Sequence, residues 1–354
     1  ASFLESTLHL SEINVGVTTS PHLISWCERI RVDSKLISPS DLRENLIKIK
    51  PLSDKYKLST FELIISVAFD YFRKKQVELI VLEAGLGGRL DATTVHPLRP
   101  IIAISSIGLD HCEYLGENLI EITKEKAAAI SEGSIVISCQ QRPEVTQIIK
   151  QVAKQKRAQL HWVKPLTNSW QLGLSGEFQK ENAAIAKAVL EAISFLGWSI
   201  NQETIRQGFA KACWPGRLQN ARWNKLSLLI DGAHNPSAAK KLSSERETWQ
   251  GQEEGINWII GIQRKKAALE IIRNLIKQND LFWIVPIPNH ESWSISELLK
   301  YHPELSNQLI EAIEVKEALS KISIRNNFGT KRRTVITGSL FLIGYLIKNK
   351  IISI

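Results

Sequence analysis

The chain has no methionine among its 354 residues and only four cysteines. Cys27, Cys112, Cys139 and Cys213 lack Cys-x-x-Cys spacing, which argues against a zinc knuckle and is typical of unpaired thiols in a reducing compartment. No physical property of the chain explains the missing methionine.

Long apolar runs are also absent. The most apolar stretch, residues 335–347, is too short to span a bilayer and is interrupted by Gly338 and Ser339. No charged-then-apolar leader opens the sequence. We therefore expect a cytoplasmic protein that makes no membrane contact.

The formal net charge is +9. Basic residues neither cluster nor alternate with aromatic residues, so nucleic acid is not an expected partner. The excess charge has two interpretations, a lysine-rich solvated surface or attraction to polyanions such as ATP and polycarboxylates.

A phosphate-binding loop of the form GxxxxGK[ST] is missing. The nearest match, Gly329-Thr330-Lys331, has the wrong spacing and no following Ser or Thr. This absence contrasts with residues 78–94, ELIVLEAGLGGRLDATT, where an apolar strand leads into Glu83 and a glycine-rich loop. An acid at the carboxyl end of a parallel strand is a candidate magnesium ligand in a nucleotide site.

Strands and helices alternate along the chain, which predicts an α/β fold with mostly parallel sheets. Ser59 and Glu62 form a capping box that opens a helix running to about Lys75. A turn-rich segment, Trp214-Pro215-Gly216-Arg217, separates two such series. We predict a larger domain at residues 1–216 and a smaller Rossmann-like domain at 217–354. The predicted strands lie at residues 13–18, 78–83, 100–107, 134–138, 159–163, 226–231, 256–261, 281–287 and 334–337.

Polar residues follow several of these strands. Ser20 and His22 lie in a Thr-Ser-Pro-His turn, and Asp110-His111 closes the strand at 100–107. Taken alone, the Ser20 turn is as compatible with an ordinary loop as with a site, whereas an isolated Asp-His pair is more often a satisfied loop pair than a ligand, and Lys126 alone is a surface lysine. If the strands are neighbours, Glu83 and His111 would share one metal site.

In the second domain, Asp231-Gly232-Ala233-His234-Asn235-Pro236 ends a strand and opens a helix. Asn235 and Pro236 are a typical N-cap and first-turn pair, and a helix N-terminus favours anions. Together with Arg217 this segment suggests that both domains contribute to one nucleotide site.

These motifs resemble the folylpolyglutamate synthase/dihydrofolate synthase branch of the Mur ligase superfamily. The segments TSPHL, ERIRV, LEAGLGGRLDATT, SIGLDHCEYLG, EITKEKAAAI, WPGRLQ and DGAHNP occur in the family's order across almost the whole chain. The resemblance implies a P-loop-NTPase-like first domain and ATP-dependent ligation of L-glutamate to dihydropteroate or a folate through an acyl phosphate. It also implies two magnesium ions and a monomer.

The resemblance assigns roles residue by residue. Ser20 and Glu83 match ligands of one magnesium, His111 matches a ligand of a second, and Lys126 matches a carbamylated, metal-binding lysine. Lys126, His111 and Arg217 are the expected catalytic residues. The expected ATP contacts are Asn182, Arg217, Asp231 and His234, and the expected substrate contacts are His22, Phe61, Glu62, Leu90, Asp91 and Ala92.

The sequence departs from this family in two places. Phe178 replaces the usual histidine of the adenine-contacting HQxxN element, and the strand and TGTNGKGS loop expected before residue 1 are not in the sequence. We therefore expect a truncated and inactive copy of an active ligase. The alternatives are a non-catalytic folate-binding remnant and, because Gly85-Leu86-Gly87-Gly88 nearly matches a dinucleotide fingerprint, an oxidoreductase.

Overall fold

A computed structural model describes residues 1–249, 254–328 and 332–354 of the chain. The Gly329-Thr330-Lys331 segment lies outside these residues. The chain divides into two compact units, Ala1–Gly173 with Glu177–Cys213, and Leu174–Gly176 with Trp214–Ile354. Within the described ranges, none of the helices has the length and apolar character needed to cross a membrane. The cysteines are free, as predicted.

The first unit contains two sheets. One has the order β3-β2-β1-β4, with β1 parallel to β4 and antiparallel to β2. The other is parallel throughout, with the order β5-β6-β7. In the part of the chain that the structure describes, β4 and β5 are therefore edge strands of separate sheets. The strands are β1 Val15–Thr18, β2 Ile30–Val32, β3 Lys35–Leu36, β4 Leu79–Leu82, β5 Ile101–Ile104, β6 Ile135–Cys139 and β7 Gln159–Val163.

Helices accompany these sheets, and four of them begin at a Ser or Asn whose side chain caps the first turn. The predicted capping box is present, because Ser59 Oγ accepts from the Glu62 amide and Glu62 accepts from the Ser59 amide. The helix that it opens packs closely on β1, since a Cβ on Gly16 would lie 2.7 Å from the Phe72 ring. The helices of this unit are α1 Ser2–Leu10, α2 Pro39–Tyr56, α3 Thr60–Lys74, α4 Cys112–Leu115, α5 Leu119–Ala127, α6 Pro143–Gln155, α7 Phe178–Ala192 and α8 Gln202–Lys211.

The second unit is built on one sheet of order β12-β11-β10-β13-β9-β8, parallel except for β8 against β9. The strands are β8 Gln219–Trp223, β9 Leu226–Ile230, β10 Ile256–Ile260, β11 Leu281–Ile284, β12 Leu309–Glu311 and β13 Arg333–Thr337. The helices are α9 Pro236–Arg246, α10 Ala268–Leu275, α11 Ile295–Tyr301, α12 Val315–Phe328 and α13 Leu340–Lys348. A buried ion pair, Arg246 to Asp280 at 2.5 Å, ties α9 to the segment before β11.

The structure confirms the α/β class and the predicted strand–helix order. It adds elements that the sequence pattern did not indicate, namely the β2–β3 hairpin, α8, β8 and β12. These strands are short or lie at a sheet edge, where periodicity is a weak signal.

Candidate active site

The carboxyl ends of β1 and β4 bring Ser20 and Glu83 together. The two strands are parallel, with Thr18 opposite Leu82. The Ser20 amide donates to Glu83 Oε2 at 3.1 Å, and the Glu83 amide donates to Thr18 O at 3.1 Å. Glu83 is exposed and Ser20 is half-buried, and no hydrogen bond of Ser20 Oγ occurs among the described residues. The site therefore offers a carboxylate and a hydroxyl at one sheet edge.

The buried ion pair of Glu5 and Arg31 stabilises the backbone next to Ser20. Arg31 Nε donates to both Glu5 carboxylate oxygens, at 2.8 and 3.0 Å. Arg31 Nη1 donates to Thr19 Oγ1 at 3.1 Å and to Glu28 O at 2.7 Å. Sequence reasoning missed this pair, because nothing in the local pattern links residues so far apart.

Asp91 organises the glycine loop that follows Glu83. Its Oδ2 accepts from the amides of Gly85 at 2.9 Å and Leu86 at 2.8 Å. Its Oδ1 accepts from the Thr93 amide at 2.9 Å and the Thr93 hydroxyl at 2.5 Å. Asp91 is buried, so its carboxylate shapes the loop from inside.

The predicted substrate residues Phe61, Leu90 and Ala92 lie on or against this loop. A Cβ on Gly85 would come within 2.5 Å of the Phe61 ring, so the loop lies directly on Phe61. Leu90 is 81% exposed, and Ala92 begins a short 3₁₀ turn to Thr94. Glu62 is engaged by the capping box, whose Ser59 hydrogen bonds lower its pKa.

No α-helix starts at the glycine loop, because the chain continues into the 3₁₀ turn Ala92–Thr94. A pyrophosphate bound there would meet no α-helix N-terminus. The structure therefore argues against the oxidoreductase alternative.

The same loop packs against the end of α5, which carries Lys126. A Cβ on Gly88 would lie 2.8 Å from Lys126 O, and Arg89 Nε lies 2.9 Å from Glu125 Oε1. Burial lowers the pKa of Lys126, against the opposing influence of the Asp110 and Asp91 carboxylates. Lys126 Nζ has no hydrogen-bond partner among the described residues. Lys126 is thus a half-buried amine near acids, and the surface interpretation of this residue was wrong.

His111 follows β5 and is half-buried. It adopts a left-handed conformation with φ of 53° at the start of α4, and its Nε2 lies 3.8 Å from Asp110 Oδ2. Because β4 and β5 belong to separate sheets, strand pairing does not place His111 beside Glu83. Within the ranges described, no group of three or more His, Cys, Asp or Glu residues is placed to hold a metal.

His22 belongs to a small cluster with Arg29 and Trp26. Arg29 Nε donates to His22 Nδ1 at 2.9 Å, and the guanidinium carbon lies 4.6 Å from the Trp26 ring centroid. Burial, reinforced by the Arg29 charge, lowers the pKa of His22. The sequence indicated His22; Arg29 lies in the ERIRV segment but was assigned no role there, and nothing in the sequence singled out Trp26.

Asn182 lies in the first turns of α7, where Nδ2 donates to Gln179 Oε1 at 3.0 Å. Phe178, at the position of the expected histidine, is the first residue of that helix.

In the second unit, Asp231 is buried directly after β9. Its oxygens accept from the amides of Leu218 at 3.0 Å and Ala233 at 2.9 Å. Burial raises the pKa of Asp231, although the Arg217 charge acts in the opposite direction. His234 Nδ1 contacts Gly232 O at 2.8 Å. Asp231, His234 and Arg217, whose charge acts on Asp231, therefore lie in one loop region.

The predicted helix start after His234 is confirmed. Asn235 is the N-cap, accepting from the Ala238 amide at 2.7 Å, and Pro236 opens α9.

Comparison with known proteins identifies close sequence relatives. The family model "Dihydrofolate synthetase, C-terminal domain" matches residues 216–349. The chain is 30% identical over 349 residues to the dihydrofolate synthase/folylpolyglutamate synthase of Buchnera aphidicola subsp. Baizongia pistaciae, covering 92% of this chain and 78% of that protein. It is 29% identical over 384 residues to the Saccharomyces cerevisiae dihydrofolate synthetase, covering 98% and 89%.

Solved structures of proteins with the same kind of name are also similar to nearly the whole chain. The Mycobacterium tuberculosis folylpolyglutamate synthase complexed with ADP and AMPPCP matches with a TM-score of 0.87 and 25% identity, over 98% of this chain and 87% of that one. E. coli FolC in complex with DHPP and ADP gives 0.85 and 25%, over 99% and 84%. The Yersinia pestis bifunctional folylpolyglutamate synthase/dihydrofolate synthase with AMPPNP and Mn ion gives 0.83 and 25%, over 99% and 85%.

The order of the motifs, the α/β architecture and the relatives that match nearly the whole chain agree with one another. The chain belongs to the dihydrofolate synthase/folylpolyglutamate synthase family.

Proposed function

We propose that this chain is an ATP-dependent carbon–nitrogen ligase that adds L-glutamate to dihydropteroate, to folyl-(poly)glutamates, or to both. The observation that carries this proposal is the Ser20–Glu83 contact at the carboxyl ends of two paired parallel strands. Ligands of open α/β sheets bind at that edge. The names of the relatives and the ligands of the solved structures supply the reaction class.

The donor chemistry at this edge fits magnesium. A carboxylate and a hydroxyl are hard oxygen ligands, and magnesium bound with phosphates takes its remaining ligands from phosphate oxygens and water. Such a site needs no large protein cluster, and in the described part of the chain no group of three or more His, Cys, Asp or Glu residues is placed to hold a metal. We propose Ser20 and Glu83 as ligands of one ion, and His111 with Lys126 as ligands of a second.

Lys126 requires a further modification to serve as a ligand. An amine with a lowered pKa is more often neutral, and a neutral amine can react with carbon dioxide to form a carbamate. The product carries a carboxylate in place of an ammonium. The bound ions would neutralise charge on the transferred phosphoryl group.

The reaction proceeds in two steps. The acceptor carboxylate attacks the γ-phosphorus of ATP, forming an acyl phosphate and releasing ADP. The glutamate amine then attacks the acyl carbon, and phosphate leaves as the amide forms. Arg217 is proposed to offset phosphoryl charge, and the proposed nucleotide contacts are Asn182, Arg217, Asp231 and His234.

The acceptor is proposed to bind along the glycine loop. Exposed Leu90 and the ring of Phe61, with Ala92, offer an apolar surface for a pterin, and His22 lies on the Ser20 side. Asp91 acts by holding the loop in shape, since its oxygens are occupied within it.

We further propose that residues 1–216 form the ATPase domain and residues 217–354 the ligase domain of a cytoplasmic monomer.

The test is ATP-dependent incorporation of labelled glutamate with dihydropteroate or tetrahydrofolate as acceptor. The Glu83→Gln variant should lose at least about 100-fold in rate, because a neutral amide is a poor magnesium ligand. Glu44→Gln is the matched control, since Glu44 is an exposed acid whose one ion pair among the residues that the structure describes is with Lys74. Calorimetry with pteroic acid, with and without ATP, separates an enzyme from a folate-binding remnant. A chain that binds the pteroate but never forms ADP would contradict the ligase proposal for this chain and would support the inactive copy expected from the missing TGTNGKGS loop.

A further inference from the structure

The loop between Ser20 and β2 is held in one shape by Glu28. The Glu28 carboxylate accepts from the amides of Leu23, Ile24 and Ser25 at 2.7, 2.8 and 2.7 Å. Ser25 in turn caps the 3₁₀ turn Trp26–Arg29. The Glu28 oxygens are thus directed at the backbone, and no carboxylate forms an ion pair with Arg29 among the described residues.

The residues of this loop hold the Arg29 guanidinium through its Nε atom and through one face of its plane. Arg29 Nε donates to His22 Nδ1 at 2.9 Å, so that the neutral imidazole carries its hydrogen on Nε2. The guanidinium carbon lies 4.6 Å from the Trp26 ring centroid, and the His22 and Trp26 rings are 4.6 Å apart. Arg29 Nη1 and Nη2 make no hydrogen bond among the described residues. The two Nη groups of Arg29 are therefore held in place and form a fork that can donate hydrogen bonds to a ligand.

Such a fork matches a carboxylate, which a guanidinium binds through two parallel hydrogen bonds. Trp26, 43% exposed, adds an aromatic face beside it. The cluster therefore fits a ligand that bears a carboxylate next to an aromatic group.

The position of His22, two residues after Ser20 in the chain, indicates which carboxylate this is. The reacting carboxylate of the acceptor belongs near Ser20 and Glu83, and His22 lies two residues further along the chain. The Cα atoms of Ser20 and His22 are therefore at most about 7 Å apart, and Arg29 contacts the His22 ring. The two carboxylates of a glutamate residue are joined by a short aliphatic chain of comparable reach. Dihydropteroate has a single carboxylate, and that one must react.

We propose that Arg29, supported by His22 and Trp26, binds the α-carboxylate of the terminal glutamate of a folyl-glutamate acceptor, and so sets the preference for folyl-glutamates over dihydropteroate. This inference rests on the proposed ligase function.

The test compares the Kd values of folic acid and pteroic acid, which differ only in the glutamate, by calorimetry on the intact chain. In Arg29→Gln the Kd of folic acid should rise roughly 10- to 100-fold, as expected for lost charge-assisted hydrogen bonds. The Kd of pteroic acid should not change. Arg29→Lys, which keeps the charge but not the fork, should fall between wild type and Arg29→Gln.

Arg206→Gln is the matched control, because Arg206 also lies over a tryptophan ring, at 4.2 Å from the Trp170 centroid. It should leave both Kd values unchanged. Quenching of tryptophan fluorescence by folic acid should be weaker in Trp26→Phe than in wild type, a signal that a purely structural role would not give.

The outcomes separate the two proposals. If wild type binds both ligands and Arg29→Gln weakens both equally or neither, the Arg29 inference is overturned and the ligase proposal stands. If wild type binds neither ligand, the ligase proposal fails and the inference fails with it.

Discussion

The buried pair of Glu5 and Arg31 gives a quantitative prediction for the first unit. The two side chains are 10% and 8% exposed and are joined by hydrogen bonds of 2.8 and 3.0 Å. Glu5→Gln keeps the shape of the side chain but removes its charge. The Arg31 guanidinium would then lose the carboxylate that accepts from its Nε, and breaking a buried ion pair in this way costs about 3–5 kcal/mol of stability.

The effect should be local at first. Arg31 also holds Thr19, next to Ser20, so β1 and the turn after it should open more often. Since a chain of two compact units need not unfold in one step, amide hydrogen exchange of the segment 15–32 is the suitable assay. Glu44→Gln is the control: the Glu44 side chain is 72% exposed, and such pairs contribute about 0–1 kcal/mol.

A second variant tests the cause. Replacing the pair together, Glu5→Leu with Arg31→Met, should recover most of the lost stability, because an apolar pair avoids the desolvation of both ions. The reasoning is refuted if Glu5→Gln costs no more than Glu44→Gln, or if the double variant is less stable than the single one.

Three further predictions concern the site. Lys126→Arg cannot form a carbamate and should lose at least about 100-fold in glutamate incorporation, whereas activity near wild type would rule out the proposed modification. Gly85→Ala should weaken pteroic acid binding measured by calorimetry, because the new methyl group would lie 2.5 Å from the Phe61 ring, and an unchanged Kd would place the pterin elsewhere. The raised pKa of Asp231 means that the folded state takes up a proton before the unfolded state does, so the contribution of this group to the stability of the second unit should grow as the pH is lowered towards the ordinary pKa of a carboxyl. This gain should be absent in Asp231→Asn when unfolding is followed at several pH values, and a gain of equal size in that variant would assign it to another group.

Much of the fold could be predicted from local signals. The apolar run at residues 78–83 corresponds to β4, and the Ser59–Glu62 box marks the start of α3. The β2–β3 hairpin was missed for a physical reason. Its turn places Asp33 and Ser34 at φ of 50° and 60°, a turn whose usual sequence signal is Asn-Gly or Asp-Gly, and here Ser34 stands in place of the glycine. The sequence therefore lacks the usual hairpin signal.

The candidate site was predictable only where residues follow strands directly. Ser20 and Glu83 come together because β1 and β4 are parallel neighbours. The order of the strands in the sheet decides this, and that order cannot be read from the sequence. The lowered pKa of Lys126 depends on packing of α5 against the glycine loop, and no spacing in the sequence encodes that contact. The contacts of Arg29 with His22 and Trp26 depend in the same way on the path of the loop between Ser20 and β2, which Glu28 holds in shape.

The glycine loop shows how such packing changes a functional interpretation. A phosphate cradle needs free backbone amides. Here the amides of Gly85 and Leu86 donate to Asp91, a fixed negative charge that would also repel phosphate. The glycines serve close packing instead, on Phe61 at Gly85 and on the end of α5 at Gly88. The loop is therefore better suited to line an acceptor site and to position Glu83 and Lys126 than to bind the phosphates itself.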